Sequence, residues 1–515
     1  MSITLGKLFE LSVEKFSTKE ALYDARLDQR WTFKEWDDEI NRLAETLRIH
    51  GIEKGDRVST ILFNTSEFAH AYFACAKLGA VFNPINFRLS EKEIEYIIRD
   101  AAPKIVLFEQ AVEKGIQPVV ERHPNIKFWS IDHQPVYADY YYDQVKNTKV
   151  VRPKLEEIHE DDVYAVMYTS GTTGKPKGVI HTHRDMVDQS LILMASQRLS
   201  SNDRGLSVAP MFHCAELHCA FLPRVHVGAS NVILHHFEPH ATLEILKKER
   251  ITAFFAAPTM WNMMLQEDRS SFTLPSLRLG LYGGAPMAPA LVQKVKQQFN
   301  VDLIQAYGMT EMGPAITVLF EGEQMSKAGS AGKPLLNHEV RIARMQEEGR
   351  TDPGHLADAG ELGEIIVSGP SMMKEYFNNP EATREVLRNG WYFSGDIGYM
   401  DEEGFLYVND RIKDMIISGG ENIYSREVED ALFEHPEVLD AAVIGIPDEK
   451  WGEKVTAFIV KKSEGITAGE LEEFCLESDR LANYKRPRQF KFVNDLPRNA
   501  SGKLQKYLLR DQVKG

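Results

Sequence analysis

Apolar positions recur at helical spacing from the start of the chain. In the first sixteen residues, Lys7, Glu10 and Glu14 interrupt the apolar pattern, which predicts an amphipathic helix and not a leader peptide. Thr32 and Glu35 make a capping box ahead of Trp36, Ile40, Leu43 and Leu47, one apolar face ending at Gly51. Val58–Phe63 reads as a short strand and Ser66–Leu78 as a helix closed by Gly79. Ser90 and Glu93 cap a third helix, and Lys104–Phe108 reads as another strand.

The alternation resumes with predicted strands at Val163–Tyr168, Leu206–Ala209, Asn231–Leu234, Ala253–Ala257, Leu279–Tyr282 and Leu303–Ala306, with helical patterns filling most gaps. Such alternation predicts an α/β fold of mixed and parallel sheets flanked by helices. After Gly332 the texture changes to short strands with Gly and Asp turns, at Gly363–Ser368 and Gly404–Val408, which predicts a β-rich subdomain. The stretch Asp410–Asp414 opens about a hundred residues with their own α+β pattern. The expected domains are therefore 1–410 and 411–515.

Composition narrows the class. With 43% apolar and 26% charged residues over 515 positions, the chain reads as a globular protein of more than one domain. A net charge of −15 excludes nucleic acid as the expected partner. Cys75, Cys214, Cys219 and Cys475 form no CxxC and no disulfide framework, so a reducing, cytoplasmic setting is expected. No run reaches the roughly 18 apolar residues of a membrane span; peripheral contact with a membrane stays open.

The chemistry concentrates in YTSGTTGKPKGV, residues 168–179, which follows a predicted strand. Gly171, Gly174 and Gly178 allow close backbone approach and positive φ. Thr169, Ser170, Thr172 and Thr173 can donate to phosphate oxygens, while Lys175 and Lys177 add positive charge. Backbone N–H groups arrayed this way bind anions. The spacing GxxxxGK[ST] is absent, so this is not the loop of kinases and P-loop NTPases.

The twelve-residue string resembles the signature of the adenylate-forming superfamily, which holds acyl-CoA synthetases, firefly-type luciferases and peptide-synthetase adenylation domains. The resemblance runs in order from about residue 30 to residue 505. It implies that Thr169, Ser170, Gly171, Thr172, Thr173, Gly174 and Lys177 hold ATP phosphates. Gly284, Ala285 and Pro286, after the strand ending at Tyr282, and Gln305, Ala306 and Tyr307 would then face the nucleotide, with Tyr307 on the adenine. Thr310 would contact the α-phosphate, and Glu311, with Thr169, would hold Mg²⁺. Asp396 and Arg411 would take the ribose, His213 would sit beside the acyl carboxylate, and Lys503 would be the adenylation lysine. Lys413 lies where the family hinges, which makes the C-terminal domain a mobile lid. Gly419 and Gly420 would line the path of the coenzyme A thiol arm, and a homodimer is the family analogy.

Alone, His213 is more often a packed histidine, Asp396 a turn-capping Asp, and Lys413 and Lys503 surface lysines. His213-Cys214 and His218-Cys219 invite a zinc reading, but the spacing resembles neither knuckle nor ribbon. The implied reaction is ATP-dependent activation of a small carboxylic acid followed by transfer to CoA. Met/Phe/Ala-rich segments at 211–221, 253–265 and 307–317 suggest an apolar pocket, hence a medium- or long-chain fatty acid. Alternatives are an aromatic acid, o-succinylbenzoate, crotonobetaine, or loading of a carrier protein, although no carrier domain follows Lys503.

Overall fold

The computed structural model describes residues 3–169, 175–268, 272–345, 351–463, 465–478, 481–498 and 504–514, the side chains of Glu156 and Lys514 apart. The chain divides into two compact units. One holds residues 1–339 and 368–392, the other 340–367 and 393–515. The second unit thus packs the β-rich segment with the C-terminal hundred residues, a division by packing and not by hinge.

Among the described residues the first unit contains a nine-stranded and a seven-stranded sheet. In the larger sheet, Glu20–Asp24, Ser230–Ile233, Arg204–Ser207, Ala253–Phe255, Leu279–Gly283 and Asp302–Gly308 run parallel in that spatial order. In the smaller sheet, Lys127–Ser130, Ile105–Phe108, Arg57–Ile61, Val81–Pro84 and Val163–Thr169 do the same. One buried cluster joins Trp36, Phe73 and Phe221 to Leu107 of one sheet and Ile233 of the other, so a helical layer lies between the sheets. Separate clusters around Trp261 and around Ile98 cover the outer faces. Both predicted capping boxes are present, at Thr32/Glu35 and Ser90/Glu93.

Two buried polar side chains fix this layering. Arg224 is 1% exposed and donates to Asn231 Oδ1 at 3.0 Å, Leu206 O at 3.1 Å, Ser207 Oγ at 2.7 Å and Glu216 Oε1 at 3.0 Å. Its chain needs Gly205, where a Cβ would lie 2.1 Å from Arg224 Cδ. His183 Nδ1 accepts from the Leu5 N–H at 3.3 Å, tying the first helix, Leu5–Phe16, to the helix His183–Ser196.

An accepting Nδ1 carries no proton, and burial pushes the His183 pKa down to about 4 from 6.5. A folded value below the unfolded one adds stability that is present above pH 6.5 and lost as pH falls towards 4, worth roughly 3 kcal/mol. Thermal melts between pH 7 and pH 4 should therefore fall less steeply for His183→Asn than for the unmodified chain. Identical slopes would exclude His183 as a source of the acid lability.

In the second unit, Trp391–Met400 pairs antiparallel with Leu406–Arg411, as the β-rich texture predicts. Its C-terminal part has Val438–Asp448 antiparallel to Gly452–Lys461, which in turn pairs parallel with Gln489–Phe492. The helices Ser425–Phe433 and Ala468–Glu477 pack on this sheet through Val428, Leu432 and Leu471, which share a cluster with Val443, Val455 and Ile459.

Candidate active site

In open parallel sheets ligands bind at the carboxyl ends of the strands, and the sequence-predicted residues of the first unit collect there. Asn64, just past Arg57–Ile61, staples the two sheets at this edge. Its Nδ2 donates to Ala209 O at 3.0 Å and Leu234 O at 3.2 Å, and its Oδ1 accepts from Met211 N at 2.8 Å.

The two described ends of the string 168–179 pair with each other. Val163–Thr169 returns as Lys177–Thr182 with Thr169 opposite Lys177 and Tyr168 opposite Gly178. Ser170, Gly171, Thr172, Thr173 and Gly174 lie outside the described residues, as does Lys503. Gly178 has a packing role of its own. A Cβ there would meet Val166 at 2.8 Å, Tyr168 at 3.1 Å and Phe377 at 3.2 Å.

Gly284 needs its φ of +79°, while a Cβ on Gly283 would strike Ala306 O at 2.5 Å. Gln305, Ala306 and Tyr307 are half-buried on the neighbouring strand. The Gln305 carboxamide oxygen accepts from the Tyr282 hydroxyl at 3.0 Å, so its side chain is already engaged.

Thr310–Met312 forms a single 3₁₀ turn. The Thr310 hydroxyl lies 3.3 Å from Cys214 Sγ, and Glu311 Oε1 accepts from the Tyr376 hydroxyl at 2.7 Å. His213 Nδ1 accepts from Ala215 N at 3.1 Å, capping a short helix. From Phe212 an aromatic stripe leads away: its ring stands 5.3 Å from Phe87, which stacks on Phe63 at 3.8 Å, which stacks on His235 at 4.7 Å. His218 bonds the Tyr164 hydroxyl deep in the core. Among the described residues no three His, Cys, Asp or Glu groups converge as a metal cluster.

The apolar segments read as pocket walls are largely core. Met211, Leu217 and Phe221 pack with Trp36 and Phe73, while Cys219, Ala220 and Trp261 pack with Leu206 and Phe255. Their composition alone therefore does not identify an acid.

In the second unit, Asp396 pairs in register with Arg411, and Arg411 Nε lies 3.2 Å from Asp396 Oδ1. Arg510 holds the residues expected at the hinge, donating to Lys413 O at 3.2 Å and Asp414 Oδ1 at 2.9 Å. Gly419 and Gly420, at φ +64° and +85°, form the two-residue tip between Ile416–Ser418 and Glu421–Ile423. Positive φ at both positions is what such a hairpin turn requires. The Gly pair thus has a local cause that its sequence reading missed. Sequence reasoning also missed Asn64 and Tyr376, whose partners lie far along the chain.

The paired strands that flank the Gly/Ser/Thr string, beside a Thr-Glu turn on this two-sheet frame, point to an adenylate-forming enzyme. The family description "AMP-binding enzyme" matches residues 9–377, and "AMP-binding enzyme C-terminal domain" matches residues 427–503. The chain belongs to this family and is an AMP-forming acid–thiol ligase using ATP and CoA. It is 35% identical to a long-chain fatty-acid–CoA ligase of Mycobacterium tuberculosis, covering 96% of this chain and 95% of the relative. It is 37% identical to a feruloyl-CoA synthase of Amycolatopsis, covering 92% of each. Among solved structures it is similar to o-succinylbenzoate CoA synthetase of Bacillus subtilis in complex with its acyl-adenylate, with a TM-score of 0.87, 34% identity, and 100% and 99% coverage.

Proposed function

We propose that the acid is a medium- or long-chain fatty acid, activated as its adenylate and passed to CoA. The observation that carries this reading is the aromatic stripe Phe212–Phe87–Phe63, a half-buried hydrocarbon surface beginning beside His213. Likeness to the mycobacterial ligase over nearly the whole chain supports it. A planar aryl acid is the second reading, favoured by the near-parallel Phe63 and Phe87 rings and by the feruloyl-CoA synthase relative.

A carboxylate is a poor electrophile because its leaving group would be oxide. Attack on the ATP α-phosphate releases pyrophosphate and gives a mixed anhydride whose AMP leaves readily. In our reading Thr169, Ser170, Gly171, Thr172, Thr173, Gly174 and Lys177 hold the phosphates. Gly284, Ala285, Pro286, Gln305, Ala306 and Tyr307 border the adenine, and Gln305 does so through its backbone. Thr310 donates to the α-phosphate, Asp396 and Arg411 take the ribose, and His213 orients the acid. Lys503 steadies the charge as the anhydride forms, and Gly419 and Gly420 border the thiol arm.

Glu311 and Thr169 would hold Mg²⁺, a hard cation that prefers oxygen ligands and would neutralise phosphate charge. The donor set fits: Tyr376 occupies Oε1 of Glu311, and Oε2 takes no hydrogen bond among the described residues. A panel of C6–C18 fatty acids, ferulate, o-succinylbenzoate and indoleacetate, each with ATP and CoA, should show the fastest AMP release with a fatty acid. Faster release with any of the three aromatic acids would overturn that choice.

A further inference from the structure

The turn carrying Glu311 is clamped at three successive carbonyls. Thr310 O accepts from His181 Nε2 at 2.6 Å, Glu311 O from Met373 N at 2.7 Å, and Met312 O from the Ser371 hydroxyl at 2.6 Å. Ser371 is itself held, its Oγ lying 2.8 Å from Gln189 Oε1 and 3.1 Å from His338 Nε2. With its backbone fixed on all three residues, Glu311 can vary only in its side-chain torsions, and Tyr376 bonds its Oε1 at 2.7 Å.

Tyr376 is equally fixed, by a different element. Residues 374–377 zip onto the strand Lys177–Thr182 through Lys374 N to Ile180 O at 3.1 Å, Ile180 N to Glu375 O at 3.1 Å, and Phe377 N to Gly178 O at 2.7 Å. This is the strand that leaves the phosphate hairpin, and the Lys177 ammonium lies 4.9 Å from the Tyr376 ring centroid. An ordinary phenol keeps its proton at neutral pH, so the Tyr376 hydroxyl is the donor and the Glu311 carboxylate the acceptor. One side chain therefore touches both the base of the phosphate hairpin and the acidic residue of the Thr-Glu turn.

We propose that Tyr376 is a positioning residue. Its hydroxyl fixes the torsions of Glu311 so that Oε2 faces a nucleotide-bound divalent cation, and its ring ties that carboxylate to the strand of Lys177. The proposal rests on the reading of Glu311 as the metal carboxylate. Outer-shell partners of metal ligands typically contribute 10–100-fold to affinity, and a phenol fixed at both ends leaves the carboxylate little freedom to find another rotamer.

The test is Tyr376→Phe in the full chain, which removes one oxygen and keeps the ring under Lys177. Mn²⁺ binding in the presence of ATP and the absence of acid, read by electron paramagnetic resonance, should weaken about 10–100-fold. Metal-free ATP binding, read by calorimetry, should be unchanged. The Mg²⁺ concentration that half-saturates ATP–pyrophosphate exchange should rise by the same factor, with the maximal rate nearly kept. Adding Tyr376→Phe to Glu311→Gln should weaken Mn²⁺ binding no further.

Equal weakening of metal-free and metal-loaded ATP would overturn the proposal, since a merely structural role predicts that result. Unchanged Mn²⁺ affinity would overturn it too. Exchange by the unmodified chain reports on the parent reading separately. Exchange present without a metal shift rejects the role of Tyr376 alone, whereas exchange absent with every acid rejects adenylation.

Discussion

Lys503→Ala is expected to lower acid-dependent ATP–pyrophosphate exchange by about 10²–10³-fold while leaving thioester formation from a synthetic acyl-adenylate and CoA nearly intact. The asymmetry follows from the two half-reactions. Forming the anhydride concentrates negative charge on the α-phosphate oxygens, and a compact ammonium on a flexible stem counters it. Cleaving the anhydride with a thiol needs no such charge, because AMP is already a good leaving group. Superfamily resemblance adds that a hinge at Lys413 separates the two steps, and such gating motions are common where one site serves two reactions. Measuring the two half-reactions separately on the same preparation decides the matter. Equal loss of both would reject the alternation and leave Lys503 a general binding residue.

Arg224→Met is expected to cost about 3–5 kcal/mol of folding stability, a large fraction of the ~5–15 kcal/mol that holds a typical domain together. The guanidinium satisfies Leu206 O, Ser207, Asn231 and Glu216 in a fully buried setting. Burial raises the Glu216 pKa to about 7, with Arg224 pulling it back down. Without Arg224 the carboxylate would be both buried and unpaired. Losing the pull of Arg224 raises the Glu216 pKa further, so the deficit should shrink as pH falls towards about 7 and a proton neutralises the unpaired carboxyl. The double variant Arg224→Met with Glu216→Leu should recover most of the loss, since both charges are gone. Urea midpoints of single and double variants at pH 8 and pH 6 test this. Equal destabilisation in both variants would show that packing dominates over the charge.

What the sequence made legible follows from the range of each interaction. Capping boxes at Thr32/Glu35 and Ser90/Glu93 are three-residue devices, and both exist as read. The strand before the Gly/Ser/Thr string and the Thr310-Glu311 turn were likewise visible, because their patterns are carried by contiguous residues. Tyr376 was not: its partner Glu311 lies 65 residues away, and nothing near Tyr376 distinguishes it from a packed aromatic. Asn64 reaches 145 residues to Ala209 for the same kind of reason.

Elsewhere one residue type answers to two causes. Gly178 and the Gly419–Gly420 pair suggested room for ligands, and each also has a local cause, packing for the first and a hairpin turn for the others. Apolar residues around 211–221 suggested a pocket, yet Met211, Leu217 and Phe221 serve the core between the sheets. Composition cannot tell an apolar wall from an apolar interior; only the position of the neighbouring helix can.

The fit between Arg224 and Gly205 constrains how this enzyme can be re-engineered. Segment 213–226 begins at His213, which we propose orients the acid, and is a natural block to exchange with a relative of different acid preference. Its Arg224, however, occupies the space where residue 205 would carry a side chain. A crossover placed between 207 and 213 would set an arginine against a recipient's side chain, or a glycine void against a shorter donor. Recombination breakpoints belong before 204, so that strand Arg204–Ser207 and the helix above it travel together.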